Sequence, residues 1–96
     1  MVERILIVKA RLGLHARAAA KLVRVASRFE SQLRLERLDD TASADAKSIL
    51  SVLMLAASRG TELRVIADGV DEHNAIKAVD DLFSDSFGEA ESGSKN

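Results

Sequence analysis

Apolar residues recur along this chain with a period that changes from block to block. Ile5-Leu6-Ile7-Val8 is a short, β-branched run that predicts a strand covered on at least one face, and Arg11-Leu12-Gly13 reads as the turn after it. From Ala16 to Phe29 the residues Ala19, Leu22, Val23, Ala26 and Phe29 return at steps of three and four, so they share one helix face. Arg17, Lys21, Arg24 and Arg28 return at the same steps on the opposite face. Period two takes over in Leu33-Arg34-Leu35-Glu36 and again in Ala42-Ser43-Ala44-Asp45-Ala46, with Asp39-Asp40 between them, which predicts a hairpin. Ser48 is placed to cap a second helix, Ile49 to Ala57, which Gly60 would close. Leu63-Arg64-Val65-Ile66-Ala67 reads as a fourth strand ended by Asp68-Gly69. Asp71 is then the expected cap of a third helix whose apolar face is Ala75, Ile76, Val79, Leu82 and Phe83.

The predicted order is strand, helix, strand, strand, helix, strand, helix. Strands interspersed with helices suggest an α+β open-faced β-sandwich, in which helices pack on one side of an antiparallel sheet; a ferredoxin-like arrangement competes at this level. Neither a repeat nor a linker divides residues 1–88, which are expected to form one domain. Glu89 to Asn96 is small, polar and charged with nothing to bury, so a disordered tail is expected there.

Composition narrows the function. A chain of 96 residues can bury roughly two thirds of its unfolded surface, enough for one core but not for a deep, walled pocket. With no cysteine there is no disulfide framework, thiolate metal site or cysteine nucleophile, and two histidines make a poor chelator, so neither a metal nor a cofactor is expected. The first apolar run is too short for a signal peptide and no stretch approaches the roughly 20 residues that span a bilayer, which predicts a cytoplasmic protein with no membrane insertion. The formal net charge is only -1, yet residues 1–38 hold nine Lys or Arg against three Glu while residues 39–96 hold five against twelve acids. A basic half of +6 joined to an acidic half of -7 points to an electrostatically steered protein partner. Nucleic acid is not expected, since three Phe without Tyr or Trp offer little for base stacking.

The chemistry centres on Gly13-Leu14-His15-Ala16-Arg17-Ala18-Ala19-Ala20, where a histidine sits at the change from loop to helix. A helix N-terminus presents unpartnered N–H groups and a partial positive charge, a ready anion site. A phosphoryl group on the His15 ring would meet the backbone N–H groups of Ala16 and Arg17, and the Arg17 guanidinium could close over it. Neutral imidazole is nucleophilic near pH 7, and its phosphoryl-nitrogen bond is labile, so the group is passed on rather than stored. Phosphoryl transfer is mostly positioning and electrostatics, which a shallow site can manage when a partner supplies the other half. From spacing alone, His15 could equally be a plain helix cap. His73, in Asp71-Glu72-His73-Asn74, reads as exposed and idle, and no nucleophile elbow supports a Ser-His-Asp hydrolase.

Gly13-Leu14-His15-Ala16-Arg17 together with Ala46-Lys47-Ser48-Ile49-Leu50 resembles the histidine-containing phosphocarrier (HPr) family of the phosphoenolpyruvate:sugar phosphotransferase system. The resemblance spans about residues 2–88, and Gly60-Thr61-Glu62 and Asp68-Gly69-Val70-Asp71-Glu72 also fit. It implies a four-stranded antiparallel sheet with three helices, βαββαβα, and a phosphocarrier intermediate rather than a turnover enzyme. It further implies that His15 accepts the phosphoryl group on Nδ1 from enzyme I and delivers it to enzyme IIA domains, with Arg17 attending the phosphate. By the same resemblance, Ser48 matches the serine modified in many bacteria by HPr kinase/phosphorylase, adding up to about two negative charges to the docking face. Val52-Leu53-Met54-Leu55-Ala56-Ala57 and Phe87-Gly88-Glu89 are similar to nitrogen-related members, so both a sugar-transport and a regulatory branch are implied.

Two positions depart from the family pattern. Ala18 stands where proline usually follows the arginine, and Asp39-Asp40 replaces a glycine-bearing hairpin with a slightly longer connection. Neither change removes a reacting group, and alanine is itself a good helix former. Docking is expected on Arg17, Lys21 and Arg24 together with Ile49 and Leu50 of the second helix, on a monomer. Two rivals remain open: a regulatory module of the same fold that docks to a transcription factor or enzyme without phosphotransfer, and an α+β domain that binds a small molecule or RNA.

Overall fold

The computed structural model describes residues 1–88; the tail expected over residues 89–96 lies outside them. The elements are β1 (Val2–Ile7), α1 (Ala16–Ala26), β2 (Gln32–Arg37), β3 (Ser43–Asp45), α2 (Ile49–Leu53), β4 (Glu62–Asp68) and α3 (Glu72–Ser84), followed by a single 3₁₀ turn, Ser86–Gly88. The strands form one antiparallel sheet in the order β1-β4-β2-β3, the open-faced sandwich with three helices expected from the element order. β4 is central and pairs Leu63 with Leu6 of β1, and Val65 with Leu35 of β2.

Alternation along the strands divides the two faces. Leu6, Leu33, Leu35, Leu63, Val65 and Ala67 are buried beneath Ala19 and Leu22 of α1, Val52 of α2, and Ile76, Val79 and Phe83 of α3. Each Leu or Val so buried contributes roughly 1.5–3 kcal/mol. The opposite face carries ion pairs beside the exposed Ile5 and Ile7: Arg64 Nε lies 3.1 Å from Glu3 and its Nη1 3.3 Å from Glu36, and Arg34 is 3.7 Å from Glu36. Arg64 and Glu36 are direct cross-strand partners, Glu3 lies diagonally across from Arg64, and Arg34 is two residues from Glu36 on the same strand.

Four local expectations are corrected. α1 ends at Ala26 rather than Phe29, because Arg28 and Phe29 donate to Val25 and Ala26 in tighter turns of 3.1 and 3.2 Å. α2 ends at Leu53 rather than Ala57; Leu55 and Ala56 likewise donate three residues back, and Ala56 adopts a left-handed φ of 52°. Gly60 therefore caps no helix; it lies in the Ser58–Thr61 turn, and its N–H donates to Val8 at 2.8 Å. Asp71 precedes α3 but makes no side-chain cap bond there. Its carboxylate accepts instead from the N–H groups of Glu30 and Ser31, both at 2.9 Å, and from the Ser31 hydroxyl at 2.5 Å.

The chain returns to α1 after α3. Ser86 and Phe87 both hold positive φ, 51° and 58°, and are kept there by burial of Phe87, whose ring centroid lies 4.9 Å from that of Phe83. The Lys21 ammonium donates to the Phe87 carbonyl at 2.6 Å, tying this last turn to α1.

Candidate phosphohistidine site

A loop with little freedom delivers His15. Gly13 donates to the Ala10 carbonyl at 2.9 Å, and Leu14 donates to the Ala57 carbonyl at 2.8 Å. Gly13 has φ +71°, and a Cβ on it would lie 2.5 Å from the Ala57 oxygen and 2.8 Å from Ser58 Cα. Only glycine allows both that backbone angle and this close approach.

His15 is the N-cap of α1, with extended φ -73° and ψ 178°, and its carbonyl accepts the first helical bond, from Ala19, at 2.8 Å. Its ring Nδ1 accepts from the Arg17 N–H at 3.3 Å. Capping and chemistry are thus not alternatives: the contact that caps the helix aims the Nδ1 lone pair at the helix N-terminus and places the neutral ring's proton on Nε2. The first turn of α1 holds no acidic residue, so its dipole is not offset there by a carboxylate of the helix itself. Half-buried His15 lies in a shallow depression of about 210 Å³ with Leu12, Leu14, Ala56, Ala57 and Ser58.

The remaining expected residues divide by exposure. Ala16 and Arg17 are exposed at the start of α1, Arg24 is exposed in its last turn, and Ala18, at the usual proline position, is fully buried. Lys21 is half-buried through its bond to Phe87, so the outward basic stripe consists of Arg17, Arg24 and Arg28. Ser48 caps α2, its hydroxyl accepting from the Ser51 N–H at 3.2 Å. Ile49 and Leu50 are 44% and 69% exposed, an unusual state for such residues on a packed helix. His73 is exposed on α3, 3.9 Å from Glu72.

Sequence reasoning missed Leu12, Leu53 and Met54, which are exposed beside these residues. The available signal was a surplus: Val52 and Leu55 suffice for the inward side of so short a helix, leaving Ile49, Leu50, Leu53 and Met54 to face out. It also missed Arg37. One nitrogen of this guanidinium donates to the carbonyls of Leu55 and Ala56, at 3.1 and 3.3 Å, in the segment that closes the His15 depression.

The family model for the PTS HPr component phosphorylation site matches residues 2–85. The chain belongs to the HPr family of phosphocarriers. It is similar to phosphocarrier protein HPr of Xylella fastidiosa (strain 9a5c), with 49% identity over 93% of this chain and 98% of that one. The HPr of Treponema pallidum (strain Nichols) is 44% identical over 93% of this chain and 99% of its own. Among solved structures, HPr-C-His from Thermoanaerobacter tengcongensis superposes with a TM-score of 0.87 at 43% identity, covering 93% of this chain and 98% of that one. The fold, the phosphocarrier family and the phosphotransferase-system setting expected from the two motifs therefore stand. Among the described residues no helix is long and apolar enough to cross a membrane.

Proposed function

We propose that His15 accepts a phosphoryl group on Nδ1 from phosphorylated enzyme I and passes it to an enzyme IIA domain, in sugar transport or a regulatory branch. The observation that carries this reading is the Arg17 N–H donating to Nδ1, because it fixes which ring nitrogen offers its lone pair. The Arg17 N–H lets go of the Nδ1 lone pair, which then forms the Nδ1–phosphorus bond as the bond from phosphorus to its donor breaks and the donor keeps that electron pair, while Nε2 keeps its proton. The N–H groups of Ala16 and Arg17 then turn to phosphoryl oxygens, and the exposed Arg17 guanidinium closes over them. Delivery to the acceptor reverses these steps.

Arg24 and the outward apolar residues Ile49 and Leu50 are the docking surface of this reading, with Lys21 anchoring α1 from behind. Ser48 precedes that apolar face directly, so a phosphate placed on it by a kinase of the HPr kinase/phosphorylase type adds up to about two negative charges at the rim and weakens docking.

The test is to mix the protein with enzyme I and labelled phosphoenolpyruvate. Wild type takes up acid-labile label; His15→Ala takes none; Arg17→Ala is labelled at a rate lower by about tenfold or more. Label that survives in His15→Ala overturns the assignment, and affinity for a regulator without any labelling favours a docking module that does not transfer phosphate.

A further inference from the structure

We propose that Arg37, at the end of β2, is a positioning residue for the His15 site, acting through Ala56 and Ala57 on the loop that carries the histidine. The proposal rests on the phosphocarrier reading for its consequence, though not for its geometry.

The guanidinium is aimed before it reaches the loop. Asp39 holds two of its nitrogens at 3.0 to 3.2 Å, and Asp39 is itself fixed by the Thr41 N–H at 3.0 Å and the Thr41 hydroxyl at 2.6 Å. One edge of the guanidinium is thus committed to the hairpin, leaving the third nitrogen for the carbonyls of Leu55 and Ala56. α2 has ended at Leu53, so the helix supplies no N–H groups for these carbonyls. A lysine would have to make all these bonds from one nitrogen, whereas the planar fork of Arg37 commits two nitrogens to Asp39 and a third to the carbonyls.

That bridge holds Ala56 in the left-handed region, where a residue with a Cβ does not rest without support. The left-handed turn carries the chain to Ala57, whose carbonyl receives the Leu14 N–H at 2.8 Å, and to Ser58, against which Gly13 packs. Leu14 is bonded directly to His15. The path from Arg37 to the imidazole therefore runs through two carbonyls, one strained alanine and one hydrogen bond between loops. The hairpin that lacks the usual glycine is what supplies Asp39, so this departure from the family pattern has a use at the site.

The experiment compares wild type, Arg37→Gln, the double variant Arg37→Gln with Ala56→Gly, and Arg4→Gln, which breaks the Arg4–Asp80 ion pair between β1 and α3 as a stability control. Two readouts are taken: KM and kcat for phosphorylation by enzyme I, and the exchange rate of the Leu14 amide in the protein alone. Arg37→Gln raises KM about fivefold and speeds Leu14 exchange about tenfold relative to global opening. Ala56→Gly restores most of both, because glycine adopts the left-handed turn unaided, and Arg4→Gln changes neither. A folded Arg37→Gln with unchanged KM and Leu14 exchange overturns the proposal, as does an Arg4→Gln that reproduces its effects. If Arg37→Gln does not fold, Asp39→Asn takes its place, with smaller shifts expected in the same directions and no shift counting against the proposal. Absence of label on wild type would overturn the phosphocarrier reading, while Leu14 exchange still decides whether Arg37 holds the loop.

Discussion

The two ends of α1 are each fastened to a turn from a distant part of the chain, by groups of opposite charge. At the C-terminal end an anion holds amides: the Asp71 carboxylate takes the N–H groups of Glu30 and Ser31 and the Ser31 hydroxyl. At the N-terminal end a cation holds carbonyls: Arg37 takes those of Leu55 and Ala56, and Ala57 in turn receives Leu14. The first fastening is tightly packed on its inner side, with Ser31 wholly buried and no room for a Cβ on Gly69, which would lie 2.6 Å from Ser31 Cα. The second is open, with Leu12, Met54 and Ala56 exposed around it. One end anchors the fold, and in the proposed transfer the other presents the His15 ring, so only the second has to remain accessible to a partner.

Paired glycine substitutions give the sharpest test of this division. Gly13→Ala and Gly69→Ala each force a Cβ against backbone at a positive φ, and each should cost about 2 kcal/mol or more in denaturant unfolding. Only Gly13→Ala should also slow phosphoryl transfer in the folded fraction, by about 100-fold, because it displaces the loop that carries His15. Equal transfer losses in both variants would erase the distinction between the ends.

Ser31→Ala is a milder probe of the anchor. It should destabilise by about 1 kcal/mol through loss of one buried hydroxyl bond, with transfer rates unchanged. The same anchor contributes to the acid limb of stability, alongside Asp39, whose carboxyl Arg37 and Thr41 hold well below the ordinary carboxylate range. The Ser31 hydroxyl and the Glu30 N–H hold the Asp71 carboxyl below its ordinary value, and the Gly69 N–H and the chain's amino terminus do the same for Glu72. Both groups release protons more readily in the folded state, so their contribution is complete above the ordinary carboxylate range near about 4 and drains away as pH falls through the depressed values. Asp71→Asn should lower stability at neutral pH and flatten that acid limb in a pH series of chemical denaturations.

The smallest expected stability effect is at the presented end. Leu50→Ser should change unfolding by less than about 0.5 kcal/mol, since the side chain is 69% exposed, yet raise KM toward enzyme I. A stability loss larger than the KM effect would mean that Leu50 belongs to the core.

What could be read from the sequence was what is local. His15 and Arg17 share a short motif at a predicted helix start, and Ser48 stands three residues before the N–H it caps. The first strand followed from a short β-branched run and the hairpin strands from period two, and the outward Glu3, Glu36 and Arg64 turned out to be ion-paired. The end of α2 was misjudged because Met54-Leu55-Ala56-Ala57 continues an apolar, helix-forming composition, while the turn at Ala56 is imposed by Arg37 from 19 residues away. Asp71 has the look of a helix cap, but its partners lie 40 and 41 residues earlier. Neither interaction leaves a mark in the neighbouring sequence.

The Arg17 N–H that the histidine ring accepts today is the one that a phosphoryl oxygen would accept after transfer. In the proposed transfer, loading the carrier exchanges one acceptor for another at that nitrogen, so the hydrogen bond given up by the ring is recovered by the phosphoryl group. The exchange offsets part of the cost of loading, which suits a site that must both fill from a donor and empty into an acceptor.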